Sequence, residues 1–214
     1  MNYLYRYRWW MSLFSPHLIW RIPTRKKEVF LTFDDGPSEV ITAKVLDLLQ
    51  EHDAKATFFC LGKNVDYNPD LFSRIKDEGH EVGNHTFHHI SGWNVSTERY
   101  VGSINKAESI FGGYFFRPPY GKITWSQISS IKSRFQLIMW TALSGDFDKA
   151  IPTSEILTNL KSSLKKGDII VFHDNAKTAS RLLEILPEYL AFLKQQGYEC
   201  SVLRTPRKWY QFWK

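Results

Sequence analysis

The chain has 214 residues, of which 43% are hydrophobic and 15% aromatic, so it can build one sizeable core but hardly two domains. A charged fraction of 23% with no uncharged apolar run of roughly 18 to 20 residues excludes the disordered and membrane-spanning classes. The only cysteines, Cys60 and Cys200, are too few for a disulfide framework, and we expect both to be reduced.

The net charge of +6 lies at the two ends of the chain. Residues 1–27 hold six of the 28 basic residues and none of the 22 acidic ones, and residues 204–214 add four basic residues and no acidic one. The stretch between the ends is therefore slightly acidic. This distribution removes the main electrostatic argument for binding nucleic acid.

Aromatic residues also gather at both ends, with Trp9, Trp10 and Trp20 in the first and Trp209 and Trp213 in the last. Two interpretations are open. The ends form straps whose rings pack on the domain, or they attach to a membrane interface, where rings and cations meet lipid headgroups. The start lacks the apolar stretch and cleavage site of a signal peptide. We therefore expect a protein that is cytoplasmic or peripheral to the inner membrane.

From Glu28 onward, strand-like and helix-like segments alternate along the chain. Strands are predicted at Val29–Phe33, Ala56–Cys60, His80–Gly83, Tyr114–Phe116, Phe135–Trp140, Asp168–Phe172 and Glu199–Leu203. Helices are predicted at Ile41–His52, Pro69–Asp77, Thr97–Ile110, Ser126–Lys132, Thr153–Lys165 and Ala179–Gln196. This alternation predicts parallel strands, in either a barrel or an open doubly wound sheet. The sequence has no glycine-rich phosphate-binding turn, which argues against a nucleotide-binding doubly wound sheet.

Residues that could perform chemistry fall just after the carboxyl ends of the predicted strands. They are Asp34 and Asp35 after the first strand, His85 and His89 after the third, Arg117 to Gly121 after the fourth, Asp146 after the fifth and His173 after the sixth. In a (β/α) barrel these ends share one face, which carries the active site. Five segments of the sequence are therefore predicted to meet at one rim.

A metal site is the first chemical prediction for this rim. Asp35, His85 and His89 supply one carboxylate and two imidazoles, which is the ligand number of a catalytic zinc site. The four-residue interval between the histidines predicts that both rings lie on one side of a helical turn. Such a pair also occurs at helix caps and on exposed surfaces, and adjacent aspartates also occur in turns. The metal-site prediction therefore depends on Asp35, His85 and His89 occurring together, and we expect His88 not to bind the metal.

An acid and a base are the second prediction. Asp34 would be free to take a proton from water, and Arg117 would hold this carboxylate ionised and oriented. His173 could be a hydrogen-bonded core histidine or, paired with Asp146 or Asp174, a general acid. A metal, a base and an acid together suit the hydrolysis of a neutral carbonyl compound with release of an amine or alkoxide.

Four motifs occur in order along the chain: Thr32–Pro37, His85–His89, Arg117–Gly121 and Phe172–Asp174. They closely resemble the motifs of the polysaccharide deacetylases, carbohydrate esterase family 4, from about Glu28 to about Leu203. The resemblance implies an α/β fold, namely a distorted, incomplete (β/α) barrel with about seven parallel strands.

The resemblance also implies a role for each candidate residue. The catalytic roles would belong to Asp34 as general base, Arg117 as its support, the backbone N–H of Tyr120 as an oxyanion donor, His173 as general acid and Asp146 as the residue that orients it. The metal, usually zinc with cobalt or nickel as alternatives, would be held by Asp35, His85 and His89. The match loosens near Leu143 and Phe147, where many members carry Asp and Trp, and this concerns sugar contacts.

By this resemblance, residues 28–203 form the catalytic domain. The basic and aromatic residues mark 1–27 as an N-terminal strap or interfacial segment and 204–214 as a C-terminal tail. The implied activity is metal-dependent removal of N-acetyl groups from an amino sugar or polysaccharide of the N-acetylglucosamine type. The expected partner is a carbohydrate, without nucleic acid. One alternative is a deformylase or deacetylase of a lipid-linked sugar, which peripheral membrane association through the termini would suit. Another is a non-catalytic glycan- or membrane-associated relative, against which the intact Asp34 argues.

Overall fold

A computed structural model describes residues 16–204. The far ends of the two aromatic segments, including Trp9, Trp10, Trp209 and Trp213, lie outside the described residues. Within residues 16–204, every helix is too short or too polar to cross a bilayer.

The strands of the described residues form one parallel sheet. They are β1 (Leu18–Ile19), β2 (Glu28–Asp34), β3 (Ala56–Cys60), β4 (Glu81–Asn84), β5 (Phe115–Phe116), β6 (Gln136–Ile138), β7 (Ala142–Leu143), β8 (Ile169–His173) and β9 (Glu199–Cys200). The order across the sheet is β1-β6-β5-β4-β3-β2-β8-β7, and β9 pairs with the start of β2. The sheet curls without closing, which confirms the predicted incomplete (β/α) barrel.

Helices connect the strands. They are α1 (Thr42–Glu51), α2 (Gly62–Tyr67), α3 (Pro69–Asp77), α4 (Thr97–Phe111), α5 (Trp125–Ile131), α6 (Thr153–Ser162) and α7 (Ala179–Gln195). The sequence analysis missed α2, β1 and β7. The two strands have only two residues each, too few for a periodic pattern, and α2 begins with glycine and contains Asn64, which are weak helix formers.

The central strand β2 is buried along its whole length between β3 and β8. Its Phe33 ring stacks on Phe58 at 5.0 Å and on Phe172 at 5.8 Å between centroids, which joins the three strands through their side chains. The parallel register then places Asp34 opposite Phe59 on one side and His173 on the other. The apolar core thus holds the first and last site motifs next to each other.

Residues 16–27 pack against the sheet in part. β1 runs parallel to β6, the buried Trp20 makes an edge contact with Trp140 at 6.1 Å, and Arg21 pairs with Asp168 at 2.6 Å. These contacts concern only the described end of the N-terminal segment. The behaviour of residues 1–15 and 205–214, and the domain boundaries, stay predictions.

Candidate metal and catalytic site

The structure places all the predicted site residues on one rim, because parallel strands present their carboxyl ends to the same edge. Asp34 and His173 are the last residues of β2 and β8, and His85 and Arg117 directly follow β4 and β5. Asp146 lies three residues after β7, the short strand that the sequence analysis missed, and not directly after the predicted strand Phe135–Trp140.

The three predicted metal ligands form a compact cluster. One ligand atom from each of Asp35, His85 and His89 lies within 4.8 Å of the others. Asp35 Oδ1 is 3.1 Å from His89 Nε2 and 3.7 Å from His85 Nε2, and it is buried without accepting a hydrogen bond. A buried carboxylate oxygen that faces two imidazole nitrogens is the arrangement that a divalent cation satisfies, so these residues fit a metal ion.

The prediction that the histidines share a helical turn is wrong. The segment from His85 to His89 is a loop, with left-handed backbone at Thr86 (φ 67°) and His89 (φ 57°). Asn84 ends the strand in a way that favours this loop, because its Oδ1 accepts from the Thr86 N–H at 2.8 Å. Its Nδ2 donates to the Ile104 carbonyl at 2.9 Å, which anchors the loop to α4. The two rings still converge, at 5.1 Å between centroids.

Each histidine ring is oriented by a partner on its other nitrogen. His85 Nδ1 lies 2.8 Å from the Arg117 carbonyl oxygen, which can only accept, so Nδ1 carries the proton and Nε2 faces the cluster. His89 Nδ1 lies 3.2 Å from the Tyr120 hydroxyl. Burial lowers the pKa of His85 to about 4, against the opposing effect of Asp34. At neutral pH the His85 ring is therefore uncharged, as a metal ligand must be.

Asp35 is held in place by two asparagines that the sequence analysis missed. Asn175 Nδ2 donates to Asp35 Oδ2 at 2.8 Å, and Asn64 Nδ2 donates to the Asp35 carbonyl at 2.6 Å. Burial alone would raise the pKa of Asp35, but the nearby imidazoles of His89 and His173 lower it well below its usual value. Asn175 thus engages one carboxylate oxygen, and Oδ1 remains for the cluster. The position of Asn175 directly after the Phe172–Asp174 motif was the sequence signal that could have identified it.

Asp34 forms a buried ion pair. Arg117 Nη1 donates to Asp34 Oδ1 at 2.7 Å and lies equally close to Thr32 Oγ1. The guanidinium is fully buried, donates to the Met139 carbonyl at 2.9 Å and lies 4.1 Å from the Phe59 ring centroid. Asp34 Oδ2 remains on the side of the cluster, 4.0 Å from His85 Nε2. The predicted base is thus anchored through one oxygen and available through the other.

His173 pairs with Asp146. Asp146 Oδ1 lies 2.8 Å from His173 Nδ1, and Asp146 Oδ2 accepts from the His173 backbone N–H at 2.7 Å. Burial disfavours the imidazolium, but the Asp146 carboxylate outweighs it and raises the pKa of His173 to about 9. The ring is therefore protonated at neutral pH. The edge of Phe147 packs on it at 5.3 Å, at the position where many family members are expected to carry Trp.

Asp174, the other candidate partner of His173, has a different set of contacts. It accepts from Thr42 Oγ1 at 2.6 Å and from the Gly36 N–H at 3.1 Å. Burial raises the pKa of Asp174 to about 8. A Cβ at Gly36 would overlap the Asp174 carboxylate, which explains why the turn after Asp35 carries glycine. Asp174 therefore ties this turn to the start of α1.

Tyr120 lies in a short 3-10 turn, Pro119–Gly121, with left-handed backbone (φ 61°). Its ring contacts the His89 ring at 4.6 Å between centroids. The expected role of its backbone N–H as an oxyanion donor stays a prediction, as do the roles of the other site residues.

Comparison with known proteins identifies relatives of this chain. A family model described as polysaccharide deacetylase matches residues 21–133. A peptidoglycan-N-acetylglucosamine deacetylase of Bacillus cereus is 35% identical over 85% of this chain and 89% of its own length. The peptidoglycan-N-acetylmuramic acid deacetylase PdaC of Bacillus subtilis is 32% identical over 83% of this chain, which spans 38% of that longer protein. The chain spans 57% and 37% of two other peptidoglycan-N-acetylglucosamine deacetylases that match.

The fold agrees with these matches. A solved peptidoglycan N-acetylglucosamine deacetylase, in complex with a naphthyl-substituted N-hydroxybenzamide, superposes with a TM-score of 0.83 at 33% identity. The superposition covers 90% of this chain and 94% of the other. The resemblance is confirmed, and the chain belongs to the polysaccharide deacetylase family, carbohydrate esterase family 4, whose enzymes are in general metal-dependent and deacetylate N-acetylated sugar polymers.

Proposed function

We propose that this chain removes the acetyl group from N-acetylglucosamine units of peptidoglycan. The observation that carries the proposal is the position of Asp34 and His173, which are register partners at the ends of β2 and β8 beside the Asp35 cluster. A carboxylate anchored by Arg117 and a protonated imidazole anchored by Asp146 are the base and the acid that amide hydrolysis requires. The names of the relatives support peptidoglycan as the polymer.

The metal we propose is Zn²⁺, held by Asp35, His85 and His89, with Co²⁺ or Ni²⁺ as alternatives. When bound there, a divalent cation polarises the acetyl carbonyl and lowers the pKa of water. The neutral His85 ring and the charged Asp35 carboxylate are already in the protonation states that cation binding needs.

Asp34 and His173 divide the proton transfers. Asp34 Oδ2 accepts a proton from the attacking water as the water oxygen bonds to the acetyl carbon. His173 donates its Nε2 proton to the amide nitrogen as the carbon–nitrogen bond breaks, so acetate and a free amino sugar leave. Asp146 keeps Nδ1 of His173 occupied, which directs the mobile proton to Nε2. The N–H of Tyr120 is the proposed donor to the carbonyl oxygen as negative charge develops on it.

The aromatic cationic termini are proposed as peripheral attachment sites at the inner membrane, and a lipid-linked sugar would then be the alternative substrate. Sedimentation with anionic vesicles at low and high salt tests this attachment. Binding that weakens as salt increases supports it, and no binding at either salt concentration contradicts it.

The substitution Asp34→Asn tests the proposed base. The amide oxygen can still accept from Arg117, but the side chain no longer takes a proton, so kcat should fall by a factor on the order of 10² to 10⁴ with full metal content. Acetate release from peptidoglycan fragments and metal analysis of the same preparation measure both quantities. Asp70→Asn, at an exposed aspartate in the first turn of α3, is the matched control. Unchanged kcat in Asp34→Asn would eliminate this base.

A further inference from the structure

Large apolar side chains are exposed on the described chain, and one of them, Tyr120, contacts the candidate metal ligand His89. The described chain exposes seven of them: Val40, Tyr67, Trp93, Ile110, Tyr114, Tyr120 and Trp125. Trp93 lies in the segment that follows the His85–His89 motif, and Tyr120 lies within the Arg117–Gly121 motif. Trp93 is 64% exposed although it is a large aromatic residue. Exposed aromatic groups next to a reactive site are typical of a binding groove.

The loop that carries Trp93 is built against the segment that carries Lys122. The Gly92 N–H donates to the Lys122 carbonyl at 3.1 Å, and Gln127 Nε2 donates to the Gly92 carbonyl at 2.8 Å. Trp93 Nε1 donates to the Ile123 carbonyl at 3.3 Å, which fixes the edge of this largely exposed indole. A Cβ at Gly92 would lie 2.6 Å from the Lys122 carbonyl oxygen, so the close approach requires glycine. The exposed indole is therefore held in position before any ligand arrives.

Lys122 lies between the two exposed rings. Its Nζ is 5.3 Å from the Trp93 ring centroid and 6.0 Å from that of Tyr120. The Tyr120 ring in turn contacts His89, so contacts run from the metal cluster to Trp93. Among residues 16–204, no carboxylate forms an ion pair with Lys122. A cation between aromatic faces is thus available to an anionic group on a bound ligand.

We propose that Trp93, Lys122 and Tyr120 form a subsite for an acidic sugar adjacent to the sugar being deacetylated. The apolar face of the sugar ring would stack on Trp93, and a carboxylate carried by that sugar would pair with Lys122. In peptidoglycan strands that have lost their stem peptides this sugar is the muramic acid unit, whose lactyl ether then bears a free carboxylate. The inference rests on the proposed function and deepens it, because it makes this glycan a better substrate than a neutral polymer of N-acetylglucosamine.

The test compares two substrates of equal length: a neutral N-acetylglucosamine oligomer and a peptide-free peptidoglycan fragment with free lactyl carboxylates. Lys122→Met should lower kcat/KM about fivefold for the peptidoglycan fragment and leave it within about twofold for the neutral oligomer, because an exposed ion pair contributes at most about 1 kcal/mol. Raising the salt concentration should reduce the preference of the unmodified chain. Lys132→Met, at the far end of α5, is the matched control.

The stacking part of the proposal has its own variants. Trp93→Ala should raise KM about tenfold for both substrates with kcat retained, and Trp93→Tyr should restore most of the loss. Tyr114→Ala removes an equally exposed ring at the amino end of β5, on the opposite edge of the sheet, and should leave KM unchanged. Melting temperatures of all variants verify folding.

The outcomes separate the two proposals. Absence of acetate release from both substrates by the unmodified chain overturns the proposed function. Activity on both substrates, with Lys122→Met affecting them equally or not at all, overturns the acidic subsite. Unchanged KM in Trp93→Ala overturns the proposed stacking of the sugar ring on Trp93.

Discussion

Two histidines on the same rim have opposite properties. His85 faces a backbone carbonyl, and burial lowers its pKa to about 4, whereas His173 faces the Asp146 carboxylate and its pKa is raised to about 9. Both rings are largely removed from water, so burial alone does not distinguish them. The partner on Nδ1 does. With a neutral acceptor on Nδ1, the ring stays uncharged and its Nε2 lone pair can bind a metal. With a charged acceptor on Nδ1, the ring stays protonated and its Nε2 proton can pass to a leaving group.

Removing each ring breaks this comparison most directly and should give the largest effects. His85→Ala should lose both bound metal and activity, because one of three ligands is gone. His173→Gln should keep the metal and lose kcat by a factor on the order of 10² to 10⁴. Metal analysis and acetate release measure the two quantities separately.

A chelator should abolish the activity of the unmodified chain, and added Zn²⁺ should restore it. His88→Ala removes an exposed histidine from the same motif and serves as the control for both substitutions. Full metal content in His85→Ala, or loss of metal in His173→Gln, would contradict the division between the two sides of the site.

The substitution Asn175→Ser sharpens the comparison on the metal side. Asn175 Nδ2 holds Asp35, while its Oδ1 accepts from the Lys177 N–H at 2.8 Å in the turn before α7. Serine can support that turn but cannot replace the donor to Asp35. Metal affinity should therefore fall about 10- to 100-fold with little change in melting temperature.

Competition with a chromogenic chelator measures the affinity of this variant. Asn175→Ala, which also loses the turn, should in addition melt at a lower temperature. An unchanged metal affinity in Asn175→Ser would show that Asp35 needs no such support.

The substitution Asp146→Asn makes the two histidines more alike and should give the smallest effect. In the unmodified chain, His173 stays protonated until the pH rises through about 9, and kcat should fall there. Without the carboxylate, burial lowers the pKa of His173, so activity should already fall as the pH rises through neutrality. The ratio of kcat at pH 6 to kcat at pH 8 should increase on the order of tenfold. An alkaline decline that remains near pH 9 would refute this assignment.

The sequence predicted the strands that carry Asp34 and His173 because β2 and β8 are long, apolar runs that end in chemically distinctive residues. It did not predict the loop conformation of His85 to His89. A four-residue interval fits a helix equally well, and the contacts that favour the loop, such as the hydrogen bond from the Thr86 N–H to the Asn84 side chain, are visible only in the structure. Asn175 was missed for a related reason, since an asparagine before a helix is an ordinary turn residue until its contact with Asp35 is visible.

Arg117 extends its guanidinium through the interior and contacts groups on β2, β3 and the segment after β6. The same group that neutralises Asp34 therefore also joins neighbouring strands from within. An engineer who wished to retune this base by exchanging its counter-ion would have to rebuild the middle of the sheet at the same time. Changes in the outer loops leave these Arg117 contacts intact, so the loops are the place where substrate specificity can change.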